Sequence, residues 1–218
     1  MTKIFVLGYN KTGTKSLSDA LSILGFKPYH TGGGGQLLED VYQNMKDKKK
    51  LLSDYDEYDV FIDYPIYDPI VFSHLVDDYP WAKYISLTRP LDEYVDSVLR
   101  DKIKRLDDGI VNSWNWLGVG GKEVFENYPQ YQKDWLKGKT DFKHQSNLLW
   151  LKKRVNPKNI LHMDLSKGDG WEVLCKFLKI LVSILFELNA SDPPFSMAQL
   201  PDLKHRAETS AVTFGLLS

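Results

Sequence analysis

An α/β fold with a mostly parallel sheet flanked by helices is what this sequence predicts, on three observations. Short apolar runs alternate with amphipathic stretches along the chain. Within the runs the apolar residues are consecutive, as in strands covered on both faces. Glycine or proline punctuates the junctions. In sheets of this kind ligands sit beyond the carboxyl ends of the strands.

The first run, Ile4, Phe5, Val6 and Leu7, predicts a buried strand. A polar loop over 8–14 leads into 15–25, where Leu17, Ala20, Leu21 and Leu24 recur at helical spacing and Gly25 is a natural stop. Residues 29–36 contain Gly32, Gly33, Gly34 and Gly35 in succession, which read as a flexible loop or as a functional lid. Residues 37–52 read as a charged surface helix ending in the basic run Lys46 to Lys50. Strands follow at 58–63, stopped by Pro65, and at 82–88, ended by Arg89-Pro90. Helices are expected at 69–77 and at 91–106, the latter with proline near its first turn. The stretch 107–139 is rich in Trp, Tyr and Gly, has weak periodicity, and reads as irregular helices over the site. A helix at 142–155, a last strand at 159–163 and a helix at 170–181 complete the pattern, with no internal repeat.

At 218 residues, with 43% hydrophobic and 26% charged residues, the chain has the composition of an ordinary globular domain. A net charge of −1 argues against a general nucleic-acid binder, which needs a dominant basic face. The single cysteine, Cys175, excludes an internal disulfide framework and sits at a helical apolar position, as a buried small residue does. One cysteine and five scattered histidines offer no metal-ligand spacing, so no metal site is expected. No run reaches the ~20 apolar residues of a membrane span. Residues 1–3 lead straight into the first strand without a signal-peptide pattern, and a cytoplasmic protein is expected.

The opening loop reads Gly8-Tyr9-Asn10-Lys11-Thr12-Gly13-Thr14-Lys15-Ser16. A loop between a buried strand and a helix turns its N–H groups toward one point, and the helix N-terminus adds partial positive charge. Gly13 permits close approach and positive φ. Thr12, Thr14 and Ser16 offer hydroxyls, and Lys11 and Lys15 bring full charge. Gly8 and Gly13 have Walker A spacing, but Thr14 stands where that pattern has lysine, and Lys15-Ser16 comes one residue late.

Lys11-Thr12-Gly13-Thr14, with Ser16 and Leu17 behind it, resembles the phosphosulfate-binding loop of sulfotransferases that use 3′-phosphoadenosine-5′-phosphosulfate (PAPS). The resemblance implies a P-loop, three-layer architecture. It implies that Lys11 reaches the bridging oxygen between phosphate and sulfate, and that Thr12, Gly13, Thr14, Lys15 and Ser16 hold the 5′-phosphate. In that family the 3′-phosphate is held by an arginine ending a strand and by a serine about eight residues on. Arg89 and Ser97 stand at that spacing here. Ser97 then falls two turns into the following helix, where its hydroxyl and the long guanidinium can converge on one phosphate.

A third likeness lies in His162-Met163-Asp164 and Gly170-Trp171-Glu172-Val173-Leu174-Cys175-Lys176-Phe177-Leu178, similar to a compact bacterial-type subgroup. Trp171 and Leu174 read as core residues. Beyond Leu178 the sequence departs from that subgroup, so the expected division is a domain over 1–178 and a divergent tail over 179–218. The tryptophan that follows the loop in cytosolic relatives has Leu17 near its place.

Sulfuryl transfer from PAPS to a hydroxyl or amine needs a general base for the acceptor's proton. Asp63, directly after an apolar strand, is the candidate at the same sheet edge as Lys11; a carboxylate capping the turn before Pro65 is the competing reading. His30 and His74 are weaker alternatives. A P-loop kinase or nucleotide hydrolase would use Asp63 to hold Mg²⁺, and a non-catalytic nucleotide-binding relative would keep the loops alone. Trp114, Trp116, Tyr128, Tyr131 and Trp135 could line a pocket for a small-molecule or glycan acceptor, or serve as core.

Overall fold

A computed structural model describes residues 2–30, 35–107 and 129–180. Its strands are β1 (Ile4–Leu7), β2 (Pro28–His30), β3 (Val60–Ile62), β4 (Lys83–Leu87) and β5 (Ile160–Met163). Its helices are α1 (Thr14–Ile23), α2 (Gly35–Lys46), α3 (Pro69–Asp78), α4 (Leu91–Asp107), α5 (Pro129–Arg154) and α6 (Trp171–Leu178). The strands form one sheet in the order β2-β3-β1-β4-β5, and every pairing is parallel. The expected α/β fold with a parallel sheet is the observed one.

Alternation along β1 divides the core. Ile4 and Val6 face a layer made with Val60, Ile62, Ile85, Leu87 and Met163, covered by Leu17, Ala20 and Leu21 of α1 and by Trp171, Leu174 and Cys175 of α6. Phe5 turns to the opposite face, where its ring meets Phe61 at 6.0 Å, Tyr79 at 5.6 Å and Tyr84 at 5.6 Å, and Phe72 of α3 stands edge-on to Tyr84. Both faces being covered explains why the runs of β1, β3 and β4 read as continuous apolar segments. Lys3 ties the sheet's lower edge to the turn before β3, its ammonium donating to the carbonyls of Tyr55, Asp56 and Tyr58.

The chain falls into two compact units. One holds the described residues up to Thr88 and again from Val155, and includes the whole sheet; the other runs Arg89–Arg154. In the second unit α4 and α5 are joined by Lys133 to Asp96 at 2.7 Å and by Lys137 to Asp92.

Two elements differ from expectation. The segment before the glycine run forms strand β2, too short and too proline-led to carry a period-two signal. Helix α5 begins at Pro129, so 129–139 belongs to one long helix. Gly138 and a poorly segregated apolar face hide that helix in the sequence. Gly35 opens α2, whereas Gly32, Gly33 and Gly34 lie outside the described residues, as do Trp114, Trp116, Tyr128 and the tail beyond Ile180. Tyr131 and Trp135 lie on α5, their side chains outside the described set.

Cys175 is fully buried, and that burial pushes its thiol up to about 11. A thiol-reactive reagent near neutral pH should therefore leave the native chain unmodified and label it promptly in denaturant, as followed by intact mass. Rapid labelling of the native chain would show that the α6 face opens to solvent.

Candidate functional site

Because β2 and β3 lie on one side of β1, and β4 and β5 on the other, the chain reverses its direction of growth at β1. The loop leaving β1 therefore emerges at the topological switch point, where open parallel sheets leave a crevice.

Loop geometry follows from close approaches. Gly8 passes so near the end of β4 that a Cβ there would lie 2.9 Å from Leu87 Cβ and 2.9 Å from Thr12 Oγ1. Thr12 closes the turn: its N–H reaches the Tyr9 carbonyl at 3.2 Å and its hydroxyl donates to the same oxygen at 2.6 Å. Thr12 thus shapes the loop through its hydroxyl. Lys11 is held at φ 73 and Gly13 at φ 100. A Cβ on Gly13 would also meet Leu165 Cδ1 at 2.5 Å, so the β5–α6 connection closes directly over the loop. Asp164 fixes that connection by accepting from the Ser166 N–H at 3.1 Å and from its hydroxyl at 2.6 Å.

Gly13 is also the N-cap of α1, and its carbonyl accepts the Leu17 N–H at 3.0 Å. No side chain caps this end and no acidic residue stands in the first turn, so the N–H groups of Thr14, Lys15 and Ser16 have no intrahelical acceptor. With the macrodipole behind them, these groups form an anion-ready end. Thr14 is buried, Ser16 is half-buried, and Lys15 is exposed on the helix surface with Asp19 at 3.4 Å.

At the neighbouring strand ends, β2 and β3 run in register with His30 opposite Ile62. Asp63 is one residue further on, at φ 72. Its Oδ2 lies 2.9 Å from His30 Nε2, and the side chains are 12% and 33% exposed respectively. Asp63 Oδ1 is buried and has no hydrogen-bond partner among the described residues. Burial raises the Asp63 carboxyl above its ordinary value, while the charge of His30 and the Thr14 hydroxyl pull it back. That Thr14 interaction brings Asp63 beside the first turn of α1. The structure therefore unites Lys11, Gly13, Thr14 and Asp63 with His30 at one edge of the sheet. Sequence reasoning ranked His30 below Asp63 because β2 was not recognisable; the signal would have been a strand ending in histidine beside a strand followed by aspartate.

Arg89 and Ser97 belong to the second unit. Arg89 stands two residues before α4, with Nε 3.5 Å from Glu93 Oε2, and Ser97 is half-buried on α4. His74 lies on α3 and is exposed.

A family model described as a sulfotransferase domain matches residues 3–186. The chain is 26% identical over 209 residues to the Ava biosynthesis cluster protein M of Aspergillus versicolor, covering 81% of this chain and 75% of that protein. Among solved structures it is similar to a sulfotransferase from Alicyclobacillus acidocaldarius, at 14% identity and a TM-score of 0.48, covering 83% of this chain and 81% of that one.

The raised Asp63 carboxyl sets a direction for stability. The folded state holds that proton more tightly than the unfolded chain, so the contribution is complete below the unfolded value of about 3.9 and is lost as pH rises through the raised folded value. Asparagine removes the titration and tolerates a left-handed φ. In a His30→Gln background, which leaves the carboxyl as the titrating member of the pair, Asp63→Asn should gain melting temperature relative to its parent as pH rises. A difference that stays constant from about pH 4 to about pH 8 would show that folding leaves the carboxyl's proton affinity unchanged.

Proposed function

The chain belongs to the sulfotransferase domain family, and from that premise we propose that it moves a sulfuryl group from PAPS to a hydroxyl or amine of a small-molecule or glycan acceptor. The loop between β1 and α1 carries this reading. It offers uncapped helix N–H groups, a glycine that cannot bear a side chain and a lysine held left-handed, at the switch point of a parallel sheet. These parts suit a 5′-phosphate that carries a sulfuryl group and departs with added negative charge.

In the proposed reaction the acceptor attacks sulfur in line with the bond to the bridging oxygen. Positioning and charge stabilisation do most of the work in such displacements. Thr12 shapes the loop, the N–H groups of Thr14, Lys15 and Ser16 take the 5′-phosphate, and Lys11 stabilises the charge growing on the bridging oxygen. Arg89 and Ser97 are assigned the 3′-phosphate; their support is their spacing after β4. The acceptor's proton goes to the Asp63–His30 pair. One buried free cysteine suits a cytoplasmic setting, and no helix among the described residues is long and apolar enough to cross a membrane.

One observation favours a second reading: Asp63 at the end of β3 could hold Mg²⁺ for an ATP-dependent kinase or hydrolase. A non-catalytic relative would bind nucleotide and transfer nothing. Calorimetry separates these. PAP, the desulfated donor, should bind far more tightly than AMP without Mg²⁺, and Arg89→Ala should remove about 1.5–3 kcal/mol of PAP binding while leaving AMP nearly unchanged. Equal loss for both ligands would make Arg89 structural, and tight Mg²⁺-dependent ATP binding would favour the kinase.

Chemistry is tested separately from binding. An interaction that strengthens in the transition state raises turnover rather than affinity. Lys11→Ala should lower single-turnover transfer from labelled PAPS by on the order of 10²–10³, the scale of one preorganised donor, with a smaller loss of PAP affinity. Near-normal turnover in Lys11→Ala together with its abolition in Lys15→Ala would put the loop in a Walker-like register and sink the assignment.

A further inference from the structure

We propose that His30 is the catalytic base, taking the acceptor's proton on Nδ1, and that Asp63 is a positioning residue that holds the imidazole through Nε2. This rests on the sulfotransfer reading above and divides the roles within the pair.

Access decides between the two members. A base must come within hydrogen-bond reach of the acceptor's proton. Asp63 presents neither oxygen: Oδ2 is engaged by His30 at 2.9 Å and Oδ1 is buried. The imidazole is nearly three times as exposed as the carboxyl group. With Nε2 donating to Asp63, the neutral ring keeps its lone pair on Nδ1. Nδ1 is then the ring nitrogen left to take the acceptor's proton.

The mounting suits a fixed pair. His30 ends β2 and Asp63 follows β3, adjacent parallel strands in register, so the two side chains come from paired backbones. Asp63 is further constrained by its left-handed backbone and by the Ile66 N–H, which donates to its carbonyl at 2.9 Å. Around the imidazole, β3 contributes the carboxylate of Asp63, and α1 contributes the neutral hydroxyl of Thr14 near that carboxylate. Lys15, the cation in the first turn of α1, is engaged with Asp19 at the surface.

The step balances without any further reagent. The acceptor oxygen or nitrogen forms a bond to sulfur, and the bond from sulfur to the bridging oxygen breaks with its electron pair passing to the 5′-phosphate. The acceptor's proton passes to Nδ1. The resulting imidazolium faces the Asp63 carboxylate and returns its proton to solvent after the products leave.

Full-length wild type, His30→Ala, His30→Gln and Asp63→Asn are compared in PAP calorimetry and in single-turnover transfer from labelled PAPS across pH. Both His30 variants should bind PAP as wild type does and lose on the order of 10²–10⁴ in turnover, the range for a general base. Asp63→Asn should lose less, because the ring remains but is no longer held by a carboxylate. If the His30 variants keep turnover while Asp63→Asn abolishes it, Asp63 is the base and the proposal is overturned while the sulfotransfer reading stands. If wild type binds no PAP, that reading fails instead. The division of roles is then read by ¹⁵N NMR of labelled histidine, which should show the Nε2–H tautomer in wild type and its loss in Asp63→Asn. An Nδ1–H tautomer in wild type overturns the proposal with or without turnover.

Discussion

The site depends on one constraint: β1 is buried on both faces at the centre of the sheet. Four residues achieve this, Ile4 and Val6 toward α1 and α6, Phe5 toward an aromatic layer, and Leu7 at the exit. A strand so placed must release its chain at the switch point. The next helix must then cover the apolar face just created, so Leu17, Ala20 and Leu21 draw α1 onto the sheet and leave its N-terminus at the strand ends. The anion-ready end is thus a consequence of core packing. Leu87 and Leu165 complete it from β4 and from the connection after β5; Leu87 crowds position 8, and a φ of 100 beside Leu165 favours glycine at position 13.

Backbone strain separates residues kept for their side chains from residues kept for their shape. A left-handed backbone costs an ordinary residue about 1–2 kcal/mol, and glycine avoids the cost. Four described non-glycine residues have positive φ. Lys179 is the C-cap of α6 and Lys48 stands just past α2, where left-handed residues commonly end helices. Lys11 and Asp63 end no helix. Each retains a charged side chain where glycine would be less strained, and both stand at the carboxyl edge. Such strain persists when the surrounding structure imposes it and something depends on the side chain.

Much of this was legible in the sequence, for a physical reason. Doubly covered strands write themselves as continuous apolar runs, and α1 announces itself by the spacing of Leu17, Leu21 and Leu24 with Gly25 behind. The loop was readable because Lys11, Gly13 and Thr14 are local. Thr12 could be named but not its task, since a hydroxyl bonded to the Tyr9 carbonyl and one free to meet a ligand have the same sequence. The Asp63–His30 pair was half-visible: Asp63 follows an evident strand, whereas Pro28–His30 is too short for any periodicity to mark it. Leu165 over Gly13 is a contact across most of the first unit, and no local pattern encodes it.

Sheet order gives the edge a polarity that residue identities alone do not. In-line displacement requires the entering and leaving groups on opposite sides of the transferred group. Within the first unit, the Asp63–His30 pair stands at the ends of β2 and β3, the loop leaves β1 beside them, and β4 lies on the loop's other side. In the proposed reaction this puts the proton acceptor on one flank and the phosphate-binding loop beside it, the separation that such a displacement uses. Had β2 been inserted next to β4, the same residues would crowd the leaving group's flank, and the acceptor would have to enter from the side that the nucleotide vacates. The chain's turn toward β3 after α1 therefore matters as much to the proposed chemistry as the lysine on the loop.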